Sequence, residues 1–169
     1  MKKRRSAPLY NILLPIWLLV WVPSFLWLLL IPANYLIDRL VLRWSLRDVE
    51  DRDGLCRRHC WKVCLAGFLS DFVGGLLLLG ISLFSDSLSN NELLDRAIFG
   101  IQFNPFENVL SFAIVALAVA LSGWCIYQLD RWILKRAGLS LEQARFSALR
   151  LALLTAPYLY LFPSGLLYR

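Results

Sequence analysis

One acidic residue interrupts a long apolar run, and its carboxyl is the side chain best placed to do chemistry. Asp71 lies about ten residues into the apolar run from Trp61 to Phe84, which would put it near the middle of a bilayer. A charge at that depth costs on the order of 3 kcal/mol unless it is paired, protonated or hydrated. We therefore expect Asp71 either to handle protons or cations or to make a structural hydrogen bond. The candidate polar site consists of Asp71, Ser70, Ser122 and Asn34.

Small residues surround Asp71 at helical spacing. Gly67 and Gly75 lie four residues before and after it, and Ala66 and Gly74 extend the same surface. Small side chains let the backbones of neighbouring helices approach closely. The pattern predicts a helix-packing face formed by Ala66, Gly67, Gly74 and Gly75, whichever role Asp71 has.

Three cysteines form the only other cluster of reactive groups. Cys56, Cys60 and Cys64 follow one another at a spacing of four residues, beside the single histidine, His59. On a helix the three thiols would share one stripe, whereas zinc sites usually present two cysteines separated by two residues on a turn. We expect reduced, structural cysteines and neither a metal nor a cofactor.

Sequence motifs of enzymes are absent. The chain has no His-Glu-x-x-His, no Gly-x-Ser-x-Gly and no phosphate-binding Walker loop, so none of the common metalloprotease, serine-hydrolase or nucleotide-hydrolase chemistries is indicated. We expect no catalytic residues and a protein that is not an enzyme.

Composition points to a membrane protein. Of the 169 residues, 59% are hydrophobic and only 18% are charged, against roughly 25% charged in an average soluble domain. The net charge of +6 comes from Lys and Arg residues that cluster just outside the apolar runs, where they would meet lipid headgroups and set orientation. We expect a multi-pass protein of a cell membrane, the bacterial inner membrane, with no nucleic-acid partner.

The apolar runs divide a single integral membrane domain, residues 1–169, into six parts. We predict an all-α polytopic fold with three transmembrane helices at 61–84, 108–135 and 141–163. Before them come a proline-broken apolar segment at 9–37 and a basic cytoplasmic loop at 38–60, and an external loop occupies 85–107.

Several helix ends carry sequence signals. Asn104, Pro105 and Glu107 resemble an N-cap, a first-turn proline and a capping-box acid, and Ser140 with Gln143 predicts a second capping box. Gly138 is the natural residue to end the helix before it. Pro157 is expected to kink the last helix, and Pro163-Ser164-Gly165 to end it.

The first apolar segment, Leu9 to Ile37, has two alternative arrangements. It is 29 residues long, has no charge and contains Pro15, Pro23 and Pro32. It is either a re-entrant hairpin that turns at Pro23 or a fourth, kinked transmembrane helix. The hairpin leaves sixteen of the 18 basic residues inside, all except Arg96 and Arg169, whereas the crossing helix with an external N-terminus leaves twelve inside. The hairpin therefore satisfies the positive-inside rule better.

An amphipathic helix is predicted over Asn34 to Arg47. Its apolar face consists of Leu36, Ile37, Leu40, Val41 and Trp44. Arg39, Arg43 and Arg47 form a basic stripe at a spacing of four. Such a helix lies at the cytoplasmic interface, where the arginines contact anionic lipid headgroups.

Two functions fit these features. The first is an accessory, assembly or scaffold subunit that works through helix–helix and lipid contacts, either as a homo-oligomer or with another membrane protein. The alternative is a minimal oligomeric transporter or channel with Asp71 in its path. The sequence favours the first, because Asp71 is the only charge near a predicted membrane centre and a relay needs a second one.

Overall fold

The protein is helical throughout the part of the chain that the structure describes. The computed structural model describes residues 15, 17–18, 25, 27–88 and 92–168, so the predicted turn at Pro23 lies outside the described residues. Five α-helices follow one another: α1 (Trp27–Ser45), α2 (Arg52–Leu88), α3 (Glu92–Phe103), α4 (Val109–Arg136) and α5 (Leu141–Thr155). After residue 27 the described part of the chain also has 3₁₀ turns at Pro105–Glu107, Tyr158–Leu161 and Ser164–Tyr168. The described residues contain no strand, which confirms the all-α class.

Two helices, α2 and α4, are long and apolar enough to cross a membrane. The spans are Arg52–Phe84 and Val109–Arg136, and only a third of the most apolar stretch of each is buried. Their outward surfaces carry exposed large side chains such as Leu83, Leu117 and Trp124. α5 has 15 residues and is about 22 Å long, less than the ~30 Å hydrocarbon core.

α1 presents three faces. Leu36, Leu40 and Trp44 of the predicted apolar face are at least half exposed, and the arginine stripe is exposed beside them. The third face, with Asp38 and Leu42, is buried against the other helices. The sequence predicts the first two faces, but the packed face contains an acid and was not recognised.

α2 and α4 pack against each other more extensively than any other pair of helices. Gly74 lies at a close contact between the two helices. A Cβ atom at Gly74 would meet the Ser122 hydroxyl, and it would lie 3.0 Å from the Ala118 carbonyl oxygen. A side chain at position 74 would therefore push the two helices apart, and small residues generally allow helices to pack closely.

The core consists of two clusters. One joins α1, α2, α4 and α5 near the predicted cytoplasmic end and includes Leu42, Cys60, Ile126 and Leu151. The other joins the opposite halves of α2 and α4 to α3 and the C-terminal turns. Trp17 belongs to this second cluster, and its indole N–H donates to the Ile101 carbonyl oxygen at 3.2 Å.

The segment expected as an external loop contains a helix. α3 packs on α4, and the Ser111 hydroxyl donates to the Ala97 carbonyl oxygen at 2.8 Å. Asn104 caps only the 3₁₀ turn Pro105–Glu107, and Asn108 is the N-cap of α4, because its side chain accepts from the Ser111 N–H at 2.8 Å. The expected N-cap was therefore one turn too early.

The connection between α4 and α5 follows the sequence signals. Gly138 has a φ of 97°, a conformation that glycine adopts without strain, and Ser140 and Gln143 form both hydrogen bonds of a capping box. The end of α5 differs from the expected boundary at 163. The helix stops at Thr155, and 3₁₀ turns replace it after Pro157, because proline cannot donate the next helical hydrogen bond.

Candidate carboxylate site

Three buried or half-buried aspartates from three different helices form the candidate site. Asp38 comes from α1, Asp71 from α2 and Asp130 from α4. Asp38 lies within electrostatic range of both other carboxyls. The sequence singled out Asp71 alone, and the structure adds Asp38 and Asp130 as two further buried acids.

Asp38 lies in the contact between α1 and α2. Its side chain is 6% exposed, and its carboxyl accepts a hydrogen bond from the Cys64 thiol. One carboxyl oxygen is 3.9 Å from the position that a Cβ atom of Gly67 would occupy. Burial raises the pKa of Asp38 to about 6, and the hydrogen bond from Cys64 opposes that rise only partly.

Asp130 is the most deeply buried of the three acids. Its side chain is 0% exposed, and Ile126 and Leu134, one turn away on either side, belong to the first core cluster. Neither carboxyl oxygen has a hydrogen-bond partner among the described residues. Such a group is rare, since buried polar atoms are nearly always satisfied in native structures.

Asp71 is half-buried, and its predicted partners do not reach it. Its Oδ1 atom is buried without a hydrogen bond in the described part of the chain. The Ser70 hydroxyl donates instead to the Ala66 carbonyl oxygen at 2.8 Å, and the Ser122 hydroxyl, which faces Gly74, has no partner there either. A structural hydrogen bond from either serine to the Asp71 carboxyl is therefore not present.

The surroundings of Asp71 include the C-terminal segment. The Tyr160 hydroxyl donates to the backbone carbonyl oxygen of Asp71 at 2.7 Å, and the Tyr160 ring is only 2% exposed. Asn34, the remaining member of the predicted polar site, is half-buried on α1 one turn before Asp38. Ala66 and Gly75, from the predicted packing face, are both buried.

The cysteine stripe attaches α2 to α1. The Cys56 thiol donates to the Arg39 carbonyl oxygen at 3.8 Å, and the Cys60 thiol donates to the Tyr35 carbonyl oxygen at 3.9 Å. All four cysteines are free thiols. Among the described residues, no three His, Cys, Asp or Glu side chains are arranged so that they could hold a metal ion.

Comparison with protein-family models, with curated proteins and with solved structures found no match. The function must therefore be inferred from the geometry of this chain.

Sequence reasoning missed Asp38 and Asp130 because each is followed directly by an arginine and lies near the end of an apolar run. That context is typical of interfacial charges. A usable signal was nevertheless present. Asp130 shares one helical stripe with Ile126 and Leu134, and Asp38 shares another with Leu42 and Leu46, since residues four apart lie on the same face.

The arrangement can bind and release protons. Transferring an ionised carboxylate into an apolar interior is very costly when nothing pairs with it. Carboxyls that lie within electrostatic range also disfavour simultaneous ionisation, so protons are shared among the members of such a group.

Proposed function

We propose that this chain is an integral membrane protein that exchanges protons through the carboxylate site formed by Asp38, Asp71 and Asp130. In the proposed arrangement α2, α4 and the segment 141–163 cross the membrane. The basic residues in the C-terminal half of α1, at the end of α4 and in the first part of α5 face the cytoplasm. The apolar, outward-facing side chains of α2 and α4 support this placement, since lipid is the solvent in which such a surface is stable.

The carboxyl of Asp130 is the observation that carries the proposal. A structural aspartate is retained because donors satisfy its oxygens, and Asp130 has no such donor among the described residues although it is 0% exposed. An acid in that position lowers stability relative to an apolar side chain. Ionisable residues of this kind within membrane helices mark proton or ion pathways by default.

The spacing of the acids along the helices supports a pathway rather than a single buried group. Asp130 is six residues before the end of α4 at Arg136, or about 9 Å along the helix axis. Asp71 is 13 residues before Phe84, the far end of the α2 span, or about 20 Å. The carboxyls thus extend from near the proposed cytoplasmic end towards the middle of the bundle.

Proton flux in liposomes tests the proposal. Full-length protein is reconstituted with a pH-sensitive dye inside, and an imposed pH gradient is followed for wild type, Asp71→Asn and Asp130→Asn. Asparagine keeps the shape of the side chain but cannot titrate, so both variants should fall to the rate of protein-free liposomes. Asp95→Asn is the matched control, because Asp95 is exposed on α3 and should retain wild-type flux.

Two results would contradict this function. Wild-type protein that moves no protons across a range of pH gradients and membrane potentials removes proton exchange altogether. Full flux in both Asp71→Asn and Asp130→Asn removes the carboxylate site from the mechanism.

The accessory role expected from the sequence is a second candidate, and a stripe on α4 favours it. Exposed residues recur along one face of α4 at alternating intervals of three and four, and large side chains alternate with small ones. These residues are Leu110, Ala113, Leu117, Ala120 and Trp124. This is the spacing at which two helices interlock, and alanines allow close approach. Cysteine substituted at Ala113 should then form cross-links in membranes, either to a second copy or to another protein, whereas cysteine at exposed Phe146 on α5 should not.

A further inference from the structure

A groove runs along the surface of the α4–α5 hairpin. Its volume is about 600 Å³, within the range of small-molecule sites. It is lined by Tyr127 of α4 and by five residues of α5, namely Leu141, Glu142, Arg145, Phe146 and Leu149. We call it the hairpin groove.

The wall formed by α5 is apolar and exposed. Phe146 is 57% exposed and Leu149 is 46% exposed. Leu153, one turn further along α5, is 59% exposed and continues the same strip towards the bundle centre. Adjoining exposed apolar side chains of this size typically mark a contact with lipid, ligand or protein.

Two guanidinium groups and one carboxylate, that of Glu142, lie at the groove and leave it with a net positive charge. Arg145 is part of the lining, and Arg131 is stacked over the Tyr127 ring at 5.5 Å. No described carboxylate lies within 4 Å of either. Two of the three arginines first expected to bind lipid differ in this respect, since Arg43 pairs with Asp53 at 3.2 Å and Arg47 pairs with Asp48 at 3.5 Å.

The surrounding hairpin is strongly basic. Between positions 131 and 150 the sequence has five basic residues and one acid, Glu142. Nearby, Arg136 stacks on Trp132 at 3.9 Å and Arg150 stacks on Trp44 at 4.8 Å. Tryptophan and arginine together are typical of the headgroup level of a membrane.

The geometry points to one anionic phospholipid as the occupant of the hairpin groove. Its phosphate lies between Arg131 and Arg145, where arginine can donate two parallel hydrogen bonds to phosphate oxygens. Its acyl chain follows Phe146, Leu149 and Leu153. Charge complementarity selects the headgroup, and the apolar wall distinguishes a lipid from a free anion. This inference requires the chain to be embedded in a membrane, but it is independent of proton exchange.

Lipid titration of the full-length protein in a neutral detergent tests the inference. The thermal midpoint and the lipid adducts seen by native mass spectrometry are measured with phosphatidylglycerol, with phosphatidylcholine and with inorganic phosphate. The wild type should retain a phosphatidylglycerol adduct and gain thermal stability from that lipid alone. The double variant Arg131→Gln/Arg145→Gln should lose both effects.

A matched control removes the same charge elsewhere. Arg57 and Arg58 are both exposed on α2 at the same end of the protein, so Arg57→Gln/Arg58→Gln should keep the adduct and the stabilisation. Equal losses in the two double variants would show diffuse attraction and overturn the site. Stabilisation by phosphatidylcholine or by inorganic phosphate equal to that by phosphatidylglycerol would also overturn it, as would a wild type that binds no lipid.

Discussion

Gly74 is the position where a single methyl group most directly tests the packing around the carboxylate site. In Gly74→Ala the new Cβ would lie 3.0 Å from the Ala118 carbonyl oxygen and 3.3 Å from a Tyr160 ring carbon, and closer still to the Ser122 hydroxyl. The Ala118 oxygen belongs to the backbone of α4, so it cannot move away unless the helix shifts. We therefore expect Gly74→Ala to separate α2 from α4 slightly and to lower stability.

The size of the effect follows from a comparison with Gly80. Alanine gains roughly 0.5–1 kcal/mol over glycine in a helix interior, and overpacking of a close contact costs about 1–3 kcal/mol. At Gly80 no described atom beyond its own helix backbone and chain neighbours lies within 4 Å of the new Cβ. Gly80→Ala should therefore gain helix stability without any loss from overpacking. The two variants should differ by about 1–3 kcal/mol. That is about 2–12 °C in thermal midpoint at roughly 2–4 °C per kcal/mol for a chain of this size.

Thermal unfolding in detergent, followed by tryptophan fluorescence, measures this difference. A third variant, Gly74→Ala/Ser122→Ala, removes the nearest obstacle and should recover part of the lost stability, while the contact with the Ala118 oxygen persists. Equal midpoints for Gly74→Ala and Gly80→Ala would refute the close approach of α2 and α4 at this site.

The carboxyl of Asp38 has a pKa of about 6 in the folded protein against about 4 when unfolded, so its stabilising contribution is complete below pH 4 and is lost as pH rises through 6. The stabilisation lost on ionisation of Asp38 is about 3 kcal/mol at 1.36 kcal/mol per pKa unit. Asp38→Asn should therefore reduce the loss of thermal stability between pH 4 and pH 7. Asn108→Ala removes two hydrogen bonds of the N-cap of α4. The Asn108 side chain accepts one from the Ser111 N–H and donates the other to the Arg96 carbonyl oxygen at 3.2 Å. Asn108→Ala should therefore lower the thermal midpoint more than Ser140→Ala, whose exposed cap contributes about 1 kcal/mol. Single cysteines are introduced into a cysteine-free protein and labelled from the external side of the membrane. A cysteine at position 91 should react, whereas cysteines at positions 6 and 57 should not. Labelling at position 6 but not at position 57 would favour the crossing first helix over the re-entrant hairpin.

Local signals determined most of the helices. The expected span 61–84 lies within α2, and the expected span 108–135 differs from α4 by one residue at each end. A helix satisfies the backbone polar groups of a continuous apolar segment within the segment itself. The capping box at Ser140 and the positive φ of Gly138 depend on residues within one turn, and the sequence predicts them correctly. α3 was missed because it is a short helix within a segment expected to be a loop.

The carboxylate site depended on tertiary structure. The polar face of a helix usually identifies its outside, but the outward surfaces of α2 and α4 carry large apolar side chains, as the core does. The sequence therefore gives little indication of which side of a helix is packed. Asp38 and Asp130 look like interfacial charges along the chain, and only the packing of α1 and α4 against their neighbours buries them. The type and length of the helices are local properties, whereas the burial of three acids from three helices is decided by which faces pack together.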